Sequence, residues 1–335
     1  MNVAVWAMQR GAGEKTASKC CLGIRRVRHG RHRRSDGGHQ NAKISMMGLK
    51  RGVKRLRRQP ALNTALTLSV RAAVRARGRE WAWAAAHLPR VGTVTARLPN
   101  GKKLRLVTDG TDWVANQIFW GGWSGFEPDV SPTFFELARS ARVVLDIGAH
   151  IGFYSCLAAL ANPDARVFGF EPMPGPLEVF RANVAANDLS TVEIVTAAAG
   201  ATTGRAEFYF QEGPRVPSSS SLSREFMSDM PQLASREVAV MALDEFVETL
   251  ALQVDLVKID TESTESEVLD GLARTLRRDK PHVIVEVLDV ASARPDRVDE
   301  LCLPLGYRPI LMSLNGPIER RTVAGAAGNF HLMPP

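Results

Sequence analysis

From residue 142 onward, short apolar runs alternate with longer stretches whose apolar positions recur every three or four residues. The runs at 142–147, 166–171, 192–197, 255–260 and 282–288 are rich in Val, Ile and Phe and have no polar face, whereas 152–161 and 175–187 carry helical spacing. Strands without a polar face, separated by helices, predict a mostly parallel sheet with helices on both faces. Residues 204–210 and 236–241 alternate polar with apolar and predict short extra strands around a polar loop that contains the serines at 218–221. Residues 307–312 and 329–333 flank a Gly-rich turn and predict an antiparallel pair closing the sheet edge. The sequence shows no internal repeat.

Upstream, 94–98 and 103–107 alternate on either side of Asn100-Gly101, a β-hairpin signal. Residues 49–87 have helical spacing broken at Pro60, with Leu62, Leu66, Val70, Ala73 and Val74 able to share a face. A packed cap helix is the first reading of this segment; a membrane-surface helix within 49–90 and a dimer contact are the others. Trp113, Phe119, Trp120, Trp123 and Phe126 crowd together with Gly121, Gly122 and Gly125. They predict either a shaped surface near a pocket or packing of the hairpin on the main domain. A helix at 134–138 leads into the first main strand. Three regions result: a tail at 1–48, a helical and hairpin cap at 49–138, and a main domain at 139–335.

Charge sharpens these boundaries. Residues 1–58 hold sixteen Lys and Arg against Glu14 and Asp36, a net +14, and the rest of the chain is at −6, with 27 basic and 33 acidic residues. Residues 1–45 lack any apolar period and are expected to be a solvated, disordered tail. Of the four cysteines, Cys20, Cys21, Cys156 and Cys302, none forms a CxxC pair, which fits a reducing, cytoplasmic setting. No run reaches the ~20 apolar residues of a membrane span.

The candidate chemistry sits at strand ends. Val143-Val144-Leu145-Asp146-Ile147-Gly148-Ala149-His150-Ile151-Gly152 is a strand, a glycine turn and a helix start. A P-loop would need Gly-Lys-Ser/Thr, and a dinucleotide fold would want GxGxxG. Here an acid stands in the turn, repulsive to a pyrophosphate and attractive to a sulfonium and an ammonium, so S-adenosylmethionine is favoured over NAD. Glu171 ends the second strand, where a carboxylate accepts hydrogen bonds from ribose hydroxyls. Asp260 ends the fourth strand, followed by Glu262 and Glu265. A carboxylate there can take a proton from an acceptor hydroxyl or orient it, and Asp260 with Glu262 are the catalytic candidates. No metal is required, and the histidines lack metal-ligand spacing.

Three blocks, VVLDIGAHIGFYS, VFGFEPMPGPLEVFRANVAAN and VDLVKIDTESTESEVLDG, supported by MALDEFV, PHVIVEV, LGYRPI and an echo in GGWSGFEPD, resemble the FkbM family of S-adenosylmethionine-dependent methyltransferases over roughly residues 93–335. The resemblance implies an α/β, Rossmann-like class I methyltransferase sheet, mostly parallel with an antiparallel final strand, helices on both faces, and the N-terminal helices and hairpin added. It implies a methyl donor held by Asp146, Gly148, Ala149, His150, Gly152, Glu171 and Pro172, and O-methylation of a hydroxyl on a small molecule, glycoside or glycolipid. The family commonly has Asn where this chain has His150, and glycine where it has Ser263. If that position needs a positive φ, Ser263 strains the loop. A nucleic-acid methyltransferase, prompted by the basic tail, and a non-catalytic protein retaining the fold are the alternatives; the sequence lacks the Asn/Asp-Pro-Pro-Tyr and Pro-Cys motifs of base methylation.

Overall fold

The computed structural model describes residues 59–76, 88–213, 220–288 and 290–335. The predicted tail, the start of the 49–87 helical stretch and its end at 77–87 lie outside the described residues. The strands are β1 (Gly92–Arg97), β2 (Lys103–Thr108), β3 (Val143–Ile147), β4 (Arg166–Phe170), β5 (Val192–Val195), β6 (Ala198–Ala199), β7 (Gly204–Gln211), β8 (Ser220–Ser221), β9 (Leu233–Met241), β10 (Leu256–Ile259), β11 (His282–Val287), β12 (Arg308–Leu311), β13 (Ile318–Glu319) and β14 (Gly328–Met333). The helices that matter below are α1 (Pro60–Ala76), α2 (Trp113–Gly121), α3 (Ser131–Ala138), α4 (Phe153–Ala161), α5 (Pro174–Ala186), α6 (Leu243–Thr249), α7 (Glu265–Asp270), α8 (Ala273–Asp279) and α9 (Pro295–Cys302).

Strand alternation builds two cores on one sheet. Its order is β13-β12-β14-β11-β10-β3-β4-β5, with β11, β10, β3, β4 and β5 parallel and β14 antiparallel to β11. Val144, Val167, Leu256 and Ile284 face a layer formed by the hairpin, α2, α3 and α4. Their neighbours Val143, Leu145, Ile147, Phe168, Val257 and Val283 face α6, α7, α8 and α9. Both faces are covered, so these strands read as unbroken apolar runs. Each fully buried phenylalanine, such as Phe168 or Phe180, contributes roughly 2–3 kcal/mol through removal from water. The predicted antiparallel pair at the end is present with a different placement. β14 inserts between β11 and β12, so the last strand is interior and β13 forms the edge.

The hairpin β1–β2 forms over the two predicted strands, with Ala96 opposite Leu104 and Val94 opposite Leu106. Its outer edge is capped by a helix. The N–H groups of Arg105 and Val107 donate to Asn187 Oδ1 at 2.7 Å and Asn183 Oδ1 at 2.6 Å. Two residues of strand advance about 6.8 Å and four of helix about 6 Å, so asparagines four apart, Asn183 on α5 and Asn187 at its C-cap, meet alternate amides of β2. The aromatic and glycine cluster becomes helix α2 and the turn after it, capped by Asp112, whose side chain accepts from Ala115 N–H at 2.6 Å.

Helix α1 packs through a face that keeps Val70 and Val74 of the predicted one but not Leu62, Leu66 and Ala73. Asn63 and Thr67 are buried with Val70 and Val74 beside the core, while Leu62, Leu66 and Ala73 are exposed. Asn63 ties the buried face to the chain entering β1: its amide donates to Pro89 O and its oxygen accepts from Val91 N–H, both at 2.9 Å. The extra strands form a separate sheet, β6-β9-β7-β8, built on the long β7–β9 pairing.

Candidate active site

Asp146 lies on the same sheet face as Val144 and therefore points at α4, where Ser155 Oγ donates to it at 2.6 Å. It is 2% exposed; burial pushes its carboxyl up to about 6 against the Ser155 hydrogen bonds and the Lys258 charge. The turn after it is dictated by close approach. At Gly148, with φ 80°, a Cβ would lie 1.9 Å from the Asp260 carbonyl oxygen. At Gly152, with φ 75°, it would lie 2.0 Å from the Phe180 ring. Gly148 and Ala149 N–H groups donate to Phe170 O at 3.1 and 2.9 Å, which fastens the turn to the end of β4.

Glu171 completes that fastening. Its two carboxylate oxygens accept from His150 N–H at 3.0 Å and Met173 N–H at 2.8 Å, and each retains a lone pair. Burial raises its pKa to about 8, opposed by those two bonds. Asp146, Gly148, Ala149, His150, Gly152 and Glu171 are thus brought together, with half-buried Pro172 carrying the chain on to α5. His150 itself has φ 53°, and its side chain interacts electrostatically with Asp112 and Asp260. Two buried carboxylates at adjacent strand ends are suited to a ligand that offers hydroxyl and ammonium hydrogens.

One strand over, a second group of charges surrounds a fully buried lysine. Lys258 pairs with Asp146 in the β10–β3 register, so its side chain enters the α4 layer. Its Nζ lies 3.2 Å from Asp260 Oδ2 and 5.3 Å from the Tyr154 ring centroid. The Tyr154 hydroxyl donates to Glu127 Oε2 at 2.5 Å. Burial works to lower the Lys258 pKa, and Asp260, Glu127 and Glu286 more than offset it, so the lysine is charged. Asp260 is pushed up by burial and down further by Lys258 and a hydrogen bond from Glu286, ending below the ordinary value. Glu286 is driven well up by burial and by the charge of Asp260. Glu127 is raised to about 7, chiefly by burial, against the attraction of Lys258. The environments therefore separate a protonated acid, an ionised one and one poised near neutrality.

Glu262 follows Asp260 with φ 55°, and its carbonyl accepts from Ser221 Oγ at 2.6 Å, which ties the small sheet to this loop. Ser263 has φ 82°, is fully buried, and its Oγ has no hydrogen-bond partner. Glu265 serves the loop: one oxygen accepts from Thr261 N–H, Thr261 Oγ1 and Ser263 N–H, each at 3.1 Å. Glu127, Tyr154, Lys258 and Glu286 escaped the sequence reading. Lys258 and Glu286 carried a signal, as charges inside apolar strands; Glu127 carried only its place in GGWSGFEPD. Beside Met173 a cavity of about 590 Å³ opens, lined by Thr108, Asp112, Met173, Pro174, Phe210 and Arg236 among others.

Residues 146–309 match the family described as the methyltransferase FkbM domain. The chain is 27% identical over 163 residues to the hexuronic acid methyltransferase AglP of Haloferax volcanii, covering 48% of this chain and 62% of that protein. It is 26% identical over 226 residues to the 31-O-demethyl-FK506 methyltransferase FkbM of Streptomyces tacrolimicus, covering 59% of this chain and 83% of that one. The crystal structure of methyltransferase FkbM from Methylobacillus flagellatus KT aligns with a TM-score of 0.36 and 17% identity, over 68% of this chain and 55% of that one.

Proposed function

We propose that this chain, a methyltransferase with an FkbM domain, transfers a methyl group from S-adenosylmethionine to a hydroxyl oxygen of a sugar, glycoside, glycolipid or hydroxylated natural product. The observation that carries the reading is the adjacency, on β3 and β10, of a carboxylate turn and a separately tuned acid–lysine cluster. The relatives are named for methylation of a hexuronic acid and of an oxygen on FK506, and both acceptor classes suit a hydroxyl-binding crevice.

Bound donor supplies a methyl group on a sulfonium, which leaves as a neutral thioether. Asp146 and Glu171 would accept hydrogen bonds from its ammonium and ribose hydroxyls, and Gly148, Ala149, His150, Gly152 and Pro172 would shape the turn around it. Asp260, kept ionised by Lys258 and hydrogen-bonded by Glu286, orients the acceptor hydroxyl with Glu262 at the rim. Glu127, partly buried and near neutrality, takes the hydroxyl proton as the oxygen gains its methyl group. A base with a pKa near the working pH is the effective one for such a transfer.

The test supplies methyl-tritiated S-adenosylmethionine with glycosides, hydroxylated macrolides and RNA in parallel. Label in a base-stable methyl ether of a small molecule is the expected result. Label confined to RNA would favour the nucleic-acid alternative. Absence of donor binding in calorimetry would favour the non-catalytic one.

A further inference from the structure

Helix α1 presents an outer surface unlike that of a solvated helix. Leu62, Leu66 and Leu68 are 49%, 38% and 49% exposed. Among the described residues of α1, the other exposed ones are Pro60, five alanines and Ser69, so Ser69 is the only polar one. A surface helix ordinarily turns charged and polar side chains to water, and a contiguous apolar patch in their place marks a contact.

The opposite face holds the leucines outside. Asn63 and Thr67 are buried there, and Asn63 is bonded to Pro89 O and Val91 N–H. Arg90 Nη1 donates to Asn63 Oδ1 at 3.2 Å and to Thr64 Oγ1 at 2.6 Å. Rotating the helix to bury the leucines would give up these bonds.

Charge selects what covers the exposed face. Residues 57–79 contain six arginines and no acid, and Trp81 and Trp83 follow in sequence. A second copy of the chain would set like charges against one another. A nucleic acid would meet the arginines with its phosphates and leave the leucines in water. An anionic bilayer suits both: lipid phosphates attract the arginines, the interface takes up the leucines, and tryptophan favours that depth. Among the described residues no helix is long and apolar enough to cross a membrane, so such a helix lies on the surface.

We propose that α1 is a membrane-surface helix, its Leu62, Leu66 and Leu68 face seated in the headgroup region of an anionic bilayer and the arginines around it drawn to lipid phosphates. An apolar face and a basic flank are the two signals that together give stable attachment, where either alone is marginal. The proposal is independent of the methyl donor and of the acceptor.

The test is co-sedimentation of the full chain with two kinds of vesicle, phosphatidylcholine alone and equal parts phosphatidylcholine and phosphatidylglycerol. The variant is Leu62→Gln/Leu66→Gln/Leu68→Gln, which keeps helix propensity. Wild type is expected to bind the mixed vesicles at least about tenfold more strongly than the neutral ones, and the variant to lose at least about tenfold on the mixed ones with its melting temperature unchanged. Should the triple variant melt early, Leu66→Gln alone carries the comparison, with a loss of about threefold expected. Wild type that stays in solution with both vesicles overturns the proposal. Equal binding to both overturns the anionic partner. A folded variant that binds mixed vesicles as wild type does overturns the role of the leucines. A dimer in ultracentrifugation that the variant dissolves, without vesicle binding, assigns the face to a second copy, and binding to RNA in place of vesicles assigns the arginines to nucleic acid; either overturns the proposal.

Discussion

Replacing Ser263 with glycine should make the protein more stable. Its φ of 82° is a conformation that costs an L-residue about 1–2 kcal/mol. Its buried hydroxyl has no partner, a further cost of about 1–3 kcal/mol. Glycine removes both and brings back roughly 0.5–1 kcal/mol of extra chain entropy in the unfolded state. The net expectation is a gain of about 2 kcal/mol, or a melting temperature higher by roughly 4–8 °C. Ser263→Ala separates the two causes, because it discards the hydroxyl and keeps the Cβ at the same φ; about half the gain should remain. Circular-dichroism melts and urea titrations of the three proteins provide the comparison. If Ser263→Gly melted at or below wild type, the strain argument would be wrong and the serine would have to be stabilising its loop. A glycine variant no better than the alanine one would leave the hydroxyl as the sole cost.

Glu171 and Lys258 yield two pH-dependent predictions. Glu171 titrates at about 8 when folded, so across neutral pH the folded state holds a proton that the unfolded state has released. Stability should therefore fall as pH rises from about 4.5 to 8, and Glu171→Gln should flatten that slope in melts between pH 5 and 8.5; parallel curves would refute it. Lys258→Met leaves Asp260 and Glu127 without their buried cation. A loss of about 3–5 kcal/mol is expected at pH 8, shrinking at pH 5.5 as the acids take up protons, and an equal loss at both pH values would count against the charged cluster.

The parts legible in advance were those decided within a few residues of sequence. Continuous apolar runs announced β3, β4, β10 and β11 because each is covered on both faces. Asn100-Gly101 announced the hairpin, and an acid after an apolar run marked Asp146 and Glu171. Longer-range decisions were harder. Leu62 and Leu66 read as a buried face, but Asn63 found partners at Pro89 and Val91, and no spacing rule anticipates a hydrogen bond across 26 residues. Glu127, in the turn after α2, joins the cluster through Tyr154 on α4, which donates to it, and through the Lys258 charge. The place of β14 between β11 and β12 depends on which strand edge remained open, a property of the assembled sheet.

The asparagine pair on α5 has a consequence beyond holding the hairpin. A two-stranded ribbon at the outside of a fold offers its free row of amides and carbonyls as a template for any passing extended segment. On β2 that row is occupied: the Arg105 and Val107 amides are taken by Asn187 and Asn183, and the Arg105 carbonyl accepts from Asn187 Nδ2 at 2.6 Å. The helix thus counterfeits a third strand, and the β2 edge of the ribbon is closed to recruitment by a foreign one.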